Sequence, residues 1–393
     1  MTEQATSKRR STFNELTVSE VRSLTPDSIE VTFAVPAELA EAYNYVPGQY
    51  VALRKDIEVH GETKELRRSY SICAAPTVHE DGTGEVRVAI KRDLGGLFSN
   101  WANDHLKAGD VIDVMSPTGS FVSKHEMTSL NNPEGLAEDV LAKDEDMFVA
   151  VAAGSGITPI MSITRTLLEK NSSARVDLVY ANKSATDVMF LEEIADLKDR
   201  YPSRFAVHHV LSREQRISPL LTGRIDEEKI QTLLGSVIRT DLVDEWFLCG
   251  PFELVQLVRD TLTEKDVPEE KVRFELFTTG PSAGRVEGQR GRAVEDTDGP
   301  SFQIDFNLDG LQGTVKSPKS ARETILNAAL RARPDVPFAC AGGVCGTCRA
   351  KLVEGDVDME ENYALEKDEI ERGYVLTCQS RPTTDKVLVD YDQ

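Results

Sequence analysis

Long apolar runs are absent from this 393-residue chain: nothing in it approaches the roughly 20 consecutive apolar residues that a membrane-spanning helix needs. Basic residues are in deficit, 45 Lys and Arg against 66 Asp and Glu, and the formal charge of −21 repels phosphate backbones and anionic lipid. Nucleic-acid and membrane-surface roles are therefore disfavoured. The first residues, MTEQATSKRRSTF, carry positive charge but no apolar stretch, so they do not read as a secretory signal. A cytoplasmic location is expected. Histidine is scarce, six in all, and the six are scattered without metal-ligand spacing. Cysteine is also scarce, but unevenly spread. Of six, four (Cys340, Cys345, Cys348 and Cys378) fall in the last 54 residues. In a reducing compartment that crowding favours metal ligation over a disulfide framework.

What is present divides the chain into three stretches, in line with roughly 100–200 residues per domain. Residues 11–146 form the first. Short strands separated by turn signals are expected there at Ser28–Val35, Tyr50–Leu53 (after the turn Pro47-Gly48-Gln49), Ser69–Cys73, Glu85–Lys91 and Val111–Val114. Such punctuation suggests an antiparallel β-barrel. Its end, 122–146, is polar and acidic and reads as an inserted loop or linker.

The second stretch, 147–277, changes rhythm. An apolar strand at Met147 runs into a Gly-rich turn and a helix over Thr158–Lys170. Strands follow at Val176–Tyr180, Phe205–Val210 and Glu245–Cys249, with helices at Leu191–Arg200 and Phe252–Lys265. Alternation of this kind predicts a parallel α/β sheet. Residues 278–300, rich in Gly, Pro and charge, read as a linker. The third stretch, 301–393, has strands expected at Phe302–Leu308, Gly313–Lys316, Arg349–Val353 and Lys386–Asp390. Ser320 and Glu323 have the spacing of a capping box that opens a helix over Thr324–Arg331.

Three motifs carry chemistry. The most specific is Cys340-x4-Cys345-x2-Cys348, then 29 intervening residues and Cys378, the spacing that places four thiolates around a plant-type 2Fe–2S cluster. Gly342, Gly343 and Gly346 let the backbone wrap between the ligands. A four-cysteine zinc site is the competing reading, but zinc ribbons pair two short-spaced hairpins, and this triple does not. The second motif is Arg68-Ser69-Tyr70-Ser71. An arginine there can clamp a pyrophosphate, and a tyrosine two positions on points the same way along the strand and can cover a flavin ring. The bland alternative is an ordinary surface strand. Lys91, Gly95, Gly96, Leu97 and Ser99 are candidates for the rest of that phosphate cradle, with Ser99 near a helix start.

The third motif is Gly154-Ser155-Gly156-Ile157-Thr158-Pro159, between a strand and a helix, where glycines admit a pyrophosphate and the helix N-terminus favours its charge. Pro159 stands where the usual fingerprint has a third Gly. Alone, this could be only a tight turn. Its partner is Cys249-Gly250-Pro251, at the end of a later strand, where ligands of open α/β sheets bind. Lys183 and Ser212-Arg213, past two strand ends, are placed to grip a 2′-phosphate, which favours NADPH over NADH. Cys73 reads as a small buried side chain. Residues 354–371 hold nine acidic residues and one basic. They read as a solvated face, or as an acidic docking surface for a basic patch on a partner.

In this order the motifs resemble the ferredoxin–NADP⁺ reductase superfamily fused to a C-terminal plant-type ferredoxin. The resemblance covers nearly the whole chain. It implies a flavin-binding barrel, a nucleotide-binding α/β domain and a β-grasp ferredoxin domain. It also implies that Arg68 holds the FAD pyrophosphate, Tyr70 stacks on the isoalloxazine and Ser71 lies near flavin N5. Gly154 to Pro159 would hold the nucleotide pyrophosphate, with Thr158 and Cys249 close to the nicotinamide. Glu275-Leu276-Phe277 is similar to the family's Glu-x-aromatic element, with Phe277 shielding the other flavin face. KELRRSYSICAAP, AAGSGITPIMSI, GRIDEEKIQTL and CAGGVCGTCRAKLVEGDVDMEENYAL…GYVLTCQSRP resemble the reductase subunits of phenylacetyl-CoA epoxidase systems. The cluster loop resembles reductases of steroid-ring hydroxylases less well. The implied activity is electron transfer from NADPH (NADH being possible) through FAD and the cluster to a separate oxygenase, di-iron and multisubunit. No carboxylate–histidine iron motif of its own is seen. An iron–sulfur redox sensor is the alternative of another class; it needs no hydride-accepting ring, so the flavin motif argues against it.

Overall fold

The computed structural model describes residues 13–59, 62–93, 97–124, 146–278, 299–308, 310–333, 336, 338, 342–343, 346–365 and 367–393. Gly95, Gly96, Cys340, Cys345 and most of the two expected linkers, 125–145 and 279–298, lie outside the described residues.

The N-terminal unit is a seven-stranded antiparallel sheet. Its elements are β1 (Phe13–Thr25), β2 (Ser28–Val35), β3 (Tyr50–Val59), β4 (Glu62–Ser71), β5 (Thr77–Val78), β6 (Gly84–Lys91), helix α1 (Leu97–His105) and β7 (Val111–Met115). The strand order is β4-β3-β7-β1-β2-β6-β5. Just past β4 the sheet folds back on itself: Ile72 bridges Val88, and Cys73 N donates to Arg87 O at 2.9 Å. Alternation fills the interior with Leu16, Val31, Phe33, Val51, Leu53, Val86 and Val88, all at most 1 % exposed. The first strand was not among those expected; two bulges, at Val18/Glu20 and Ser23/Thr25, keep it paired with β2 as it bends.

The second unit is a parallel sheet ordered β10-β9-β8-β11-β12. It contains β8 (Asp146–Ala153), α2 (Ile157–Lys170), β9 (Ala174–Asn182), α3 (Leu191–Arg200), β10 (Phe205–Leu211), α4 (Glu227–Thr232), β11 (Glu245–Pro251), α5 (Phe252–Glu264) and β12 (Val272–Thr278). The chain runs from β8 to β9 on one side and returns to β11 on the other. The carboxyl ends of β8 and β11 therefore meet at a topological switch point. Eleven residues of α2 are buried, more than one face can supply, because the helix lies between this sheet and the barrel. Cys73, Ala89 and Phe121 of the barrel join the same apolar cluster as Ile160, Met161 and Leu167, and Ser162 Oγ donates to Ala74 O at 2.6 Å.

The third unit has a five-stranded sheet ordered β14-β13-β19-β15-β17 and a small pair β16-β18. Its elements are β13 (Ser301–Leu308), β14 (Leu311–Pro318), α6 (Ile325–Ala332), β15 (Arg349–Glu354), β16 (Val357–Met359), α7 (Lys367–Glu371), β17 (Tyr374–Leu376), β18 (Ser380–Pro382) and β19 (Lys386–Asp390). A mixed sheet under one amphipathic helix is a ferredoxin-type fold. One local expectation is corrected here. Ser320 lies in a 3₁₀ turn, and Thr324 caps α6, its Oγ1 accepting from Asn327 N at 3.3 Å. Glu323 is engaged elsewhere, by Ser317 Oγ at 2.7 Å and by Arg331, so no capping box forms. Among the described residues no helix is long and apolar enough to cross a membrane.

Candidate redox site

The flavin motif lies on β4, opposite β3. Register pairs Tyr50 with Ser71, Val51 with Tyr70, Ala52 with Ser69 and Leu53 with Arg68. Arg68 and Tyr70 thus share one face of the ribbon, Ser69 and Ser71 the other. Tyr70 packs at the rim of the barrel core, its ring centroid 5.9 Å from that of Phe98 on α1. Ser69 Oγ is buried without a hydrogen-bond partner among the described residues, a polar atom that a bound group with polar edges can answer. The strand therefore fits a flavin. Lys91 is 3.3 Å from Asp27 Oδ1, and the Ser99 hydroxyl, buried in the first turn of α1, accepts from Asp93 N at 3.1 Å. Leu97 opens α1.

The nucleotide motifs converge at the switch point. Gly154–Gly156 makes one 3₁₀ turn and α2 starts at Ile157. Pro159 falls in the first helical turn, where a missing N–H costs nothing. Thr158 Oγ1 donates to Ser155 O at 3.0 Å, and Tyr180 OH to Gly154 O at 3.0 Å, so the turn is braced from both sides. Gly156 sits directly against β11: a Cβ there would stand 2.2 Å from Cys249 O. Cys249 pairs with Glu275 of β12 and with Ala152 of β8. Burial pushes the Cys249 thiol well above its ordinary range, and the Glu275 carboxylate adds to that, so it stays a neutral thiol. Ser71 Oγ reaches Glu275 Oε2 at 3.4 Å across the domain boundary. Ser71, Cys249 and Glu275 are thereby brought together, with Phe277, two residues on, packed against the core cluster that holds α2. Past β9 and β10, Ser212 N and Arg213 N continue the pairing to Asn182 O and Lys183 O at 2.9 and 2.7 Å. Lys183 and Arg213 are neighbours there. The Lys183 charge also helps lower the Asp27 carboxyl. Burial works against that shift and is outweighed by the Thr25 hydroxyl, Lys91 and Lys183.

In the third unit, Cys348 and Cys378 are each 2 % exposed and sit in one apolar cluster with Ile325, Leu376 and Val389. Thr377 Oγ1 and N both donate to Cys348 O, at 2.9 and 3.2 Å, and Tyr391 OH donates to Thr377 Oγ1 at 3.0 Å. Gln379 Nε2 lies 3.7 Å from Cys378 Sγ. Gly343 and Gly346 take φ of +80° and +68°, and a Cβ at Gly343 would stand 3.0 Å from Gln379 Cγ. The wrapped loop needs glycine on both counts. Buried thiols, a tight loop and an N–H donor at sulfur fit a thiolate-held cluster. Of the acidic run, Glu354, Glu360 and Asp368 pair with Lys386, Arg381 and Arg372 at 2.6–2.8 Å, and Glu369 pairs with Arg349. Much of that charge is locally balanced.

Tyr50, Thr347, Gln379 and the Glu245–Arg273 pair were not singled out by the sequence. Tyr50 and Thr347 meet from positions 297 apart. Gln379 had one visible cue, adjacency to Cys378 of the cysteine motif.

Three family profiles match in sequence order: an oxidoreductase FAD-binding domain over 15–122, an oxidoreductase NAD-binding domain over 150–260 and a 2Fe-2S iron-sulfur cluster binding domain over 307–383. The chain is 39% identical over 385 residues to one of the subunits of the 1,2-phenylacetyl-CoA epoxidase of Escherichia coli, covering 97% of this chain and 98% of the relative. It is 31% identical to the ferredoxin reductase component of 3-ketosteroid-9-alpha-monooxygenase from Rhodococcus rhodochrous, with 96% of each covered. Among solved structures, phthalate dioxygenase reductase superposes with a TM-score of 0.55 at 21% identity over 96% of this chain and 98% of its own, a likeness of fold. The chain belongs to the family of oxygenase reductase components, oxidoreductases that join a FAD-binding domain, an NAD-binding domain and a 2Fe–2S ferredoxin domain in one polypeptide.

Proposed function

We propose that this reductase takes electrons from NADPH and delivers them to the oxygenase of a phenylacetyl-CoA epoxidase system, a di-iron, multisubunit partner. The observation that carries the choice of partner is end-to-end similarity, at 39% identity, to a subunit of such a system. A steroid-ring hydroxylase partner is the second reading, supported by the 31% relative. We take the domains as 11–146, 147–277 and 301–393, with 278–300 as linker. Thiols that must stay reduced until loaded suit a cytoplasmic setting.

In this reading, bound FAD accepts two electrons together as a hydride and releases them singly, and the cluster carries one at a time. Arg68 would hold the FAD pyrophosphate, Lys91 and Ser99 would order the neighbouring loop, and Tyr70 and Phe277 would cover the ring faces. Gly154, Ser155, Gly156, Ile157, Thr158 and Pro159 would cradle the nicotinamide nucleotide against Cys249, Gly250 and Pro251. Ser71 and Glu275, already 3.4 Å apart, would flank the reacting edge, where neutral Cys249 excludes water without competing as a nucleophile. Lys183, Ser212 and Arg213 would receive the 2′-phosphate. Cys340, Cys345, Cys348 and Cys378 would hold the cluster. Purified protein should contain one FAD, two irons and two acid-labile sulfides per chain. Cys378→Ser should keep NADPH–ferricyanide reduction while abolishing substrate-dependent turnover with the oxygenase. One zinc and no labile sulfide, or full oxygenase turnover without a cluster, overturns the assignment.

A further inference from the structure

Tyr50 opens β3 directly after the Pro47–Gln49 turn, and its place is tightly set. Its N donates to Thr118 O at 2.8 Å and its O accepts from Thr118 N at 3.0 Å, while on the other side it pairs with Ser71. Its ring lies over Gly119, where a Cβ would stand only 3.1 Å from Cδ1. The residue is 4 % exposed. From this fixed base its hydroxyl reaches out of the barrel to Thr347 Oγ1, at 2.7 Å. Thr347 lies between Cys345 and Cys348.

The other end of the contact matters as much. Cross-strand partners on one face hold their Cβ atoms about 5 Å apart, so Tyr50 and Ser71 are immediate neighbours. Ser71 touches Glu275 of the α/β unit; Tyr50 touches the cysteine loop of the ferredoxin unit. One strand pair thus joins the hydride site to the cluster loop through adjacent side chains.

We propose that Tyr50 is a positioning residue for the electron step. Its hydroxyl docks the cluster loop, through Thr347, onto the strand pair that carries the flavin-site serine, and so sets the gap that electrons cross. The proposal rests on the cofactor assignment above. Electron tunnelling falls steeply with separation, so a loop held less closely passes electrons more slowly, while hydride transfer on the far side of Ser71 is untouched.

The test compares Tyr50→Phe and Thr347→Val with the wild-type full chain. Each removes one hydroxyl and keeps the side chain's bulk. Losing one neutral hydrogen bond shifts a local opening equilibrium about fivefold. Amide exchange of residues 346–350 should therefore quicken about fivefold in either variant, in oxidised protein with no nucleotide present. In anaerobic stopped flow, cluster reduction should slow severalfold, with flavin bleaching by NADPH and both midpoint potentials unchanged. The double variant should be no slower than either single one, as expected when both act through one bond. Wild-type cluster reduction in both variants overturns the proposal, and so does slowing explained by a shifted cluster potential. Protein lacking flavin or labile sulfide would instead defeat the cofactor assignment. The amide-exchange comparison would still report whether the contact holds the loop.

Discussion

Replacing Gly156 by alanine tests how the nucleotide crevice is built. The added Cβ would fall 2.2 Å from Cys249 O, 2.6 Å from Cys249 C and 2.9 Å from Gly250 Cα. That is more than an ångström inside ordinary van der Waals contact, and every atom met is backbone. No rotamer change can relieve it, so β11 and the start of α2 must move apart. Overpacking of this kind costs about 1–3 kcal/mol, or a few degrees of melting temperature. The functional loss should be larger, because the displaced Cys249 is the strand partner of Glu275, which Ser71 meets. A misplacement of about an ångström at reacting groups can cost roughly a hundredfold in rate. Anaerobic stopped flow at saturating NADPH, following flavin bleaching, reads this directly. Gly235→Ala is the control, since its nearest neighbour would be Lys265 Nζ at 4.0 Å. Gly156→Ala with wild-type bleaching and wild-type melting refutes the steric reasoning.

Three further outcomes are expected. Arg213→Ala should lower kcat/KM for NADPH about tenfold, the loss of a charge-assisted hydrogen bond, and leave NADH nearly unchanged; equal effects on both refute the 2′-phosphate reading. Gln379→Leu removes a donor 3.7 Å from Cys378 Sγ that favours the more negative, reduced cluster. Its midpoint potential should fall by about 20–40 mV in an EPR-monitored titration, and an unchanged value excludes the bond. The fully buried thiols of Cys73 and Cys249 are both pushed well above their ordinary range, burial being the larger cause in each. Above about pH 8.5 the unfolded chain sheds protons that the folded one keeps, so stability should fall as pH rises, by up to about 1.4 kcal/mol per unit per thiol. Denaturant midpoints measured from pH 8 to 10 check this, and Cys73→Ala should flatten the slope; a level wild-type profile contradicts it.

Features set by local pattern were legible in the sequence. Helix Leu191–Arg200 and strands Ser28–Val35 and Lys386–Asp390 coincide with α3, β2 and β19, because periodicity and flanking turns define them without outside help. The strand-end and turn placement of Gly154–Pro159 and Cys249–Pro251 was legible for the same reason. What escaped depends on partners remote in sequence. The helix cap moved from Ser320 to Thr324 because Glu323 is drawn away by Ser317 and Arg331. The long β1 escaped because its alternation is broken by two bulges. Lys183, singled out only for a 2′-phosphate, also lies close enough to lower the Asp27 carboxyl in the β1–β2 turn of another domain, beside the Thr25 hydroxyl and Lys91. Tyr50 looked like the first residue of a strand, and only register gives it Ser71 as a neighbour.

The missed pair Glu245–Arg273 belongs to a network that holds the Ser71–Glu275 contact across two domains. Glu245, 2 % exposed, opens β11, and Arg273 lies near the start of β12, with Nε 3.1 Å from Glu245 Oε1. The same carboxylate accepts from Lys124 N at 3.0 Å and from Ser123 Oγ, on the segment that leaves the barrel. Glu275, midway along β12, meets Ser71 of the barrel. From Glu245 to its strand-mate Cys249 is four residues, about 13 Å of extended chain. The paired strands β11 and β12 are therefore tied to the barrel at two points, the start of β11 and the middle of β12. A single tie would leave a pivot about which Cys249 and Glu275 could swing; two ties on a hydrogen-bonded strand pair remove it. The buried Glu245 carboxylate takes two charge-assisted hydrogen bonds from the segment leaving the barrel, against one longer bond at Glu275, so the remote tie is the stronger of the two. That division suits the proposed hydride transfer: the buried Glu245 carries the mechanical load, and Ser71 and Glu275 would face the reacting edge.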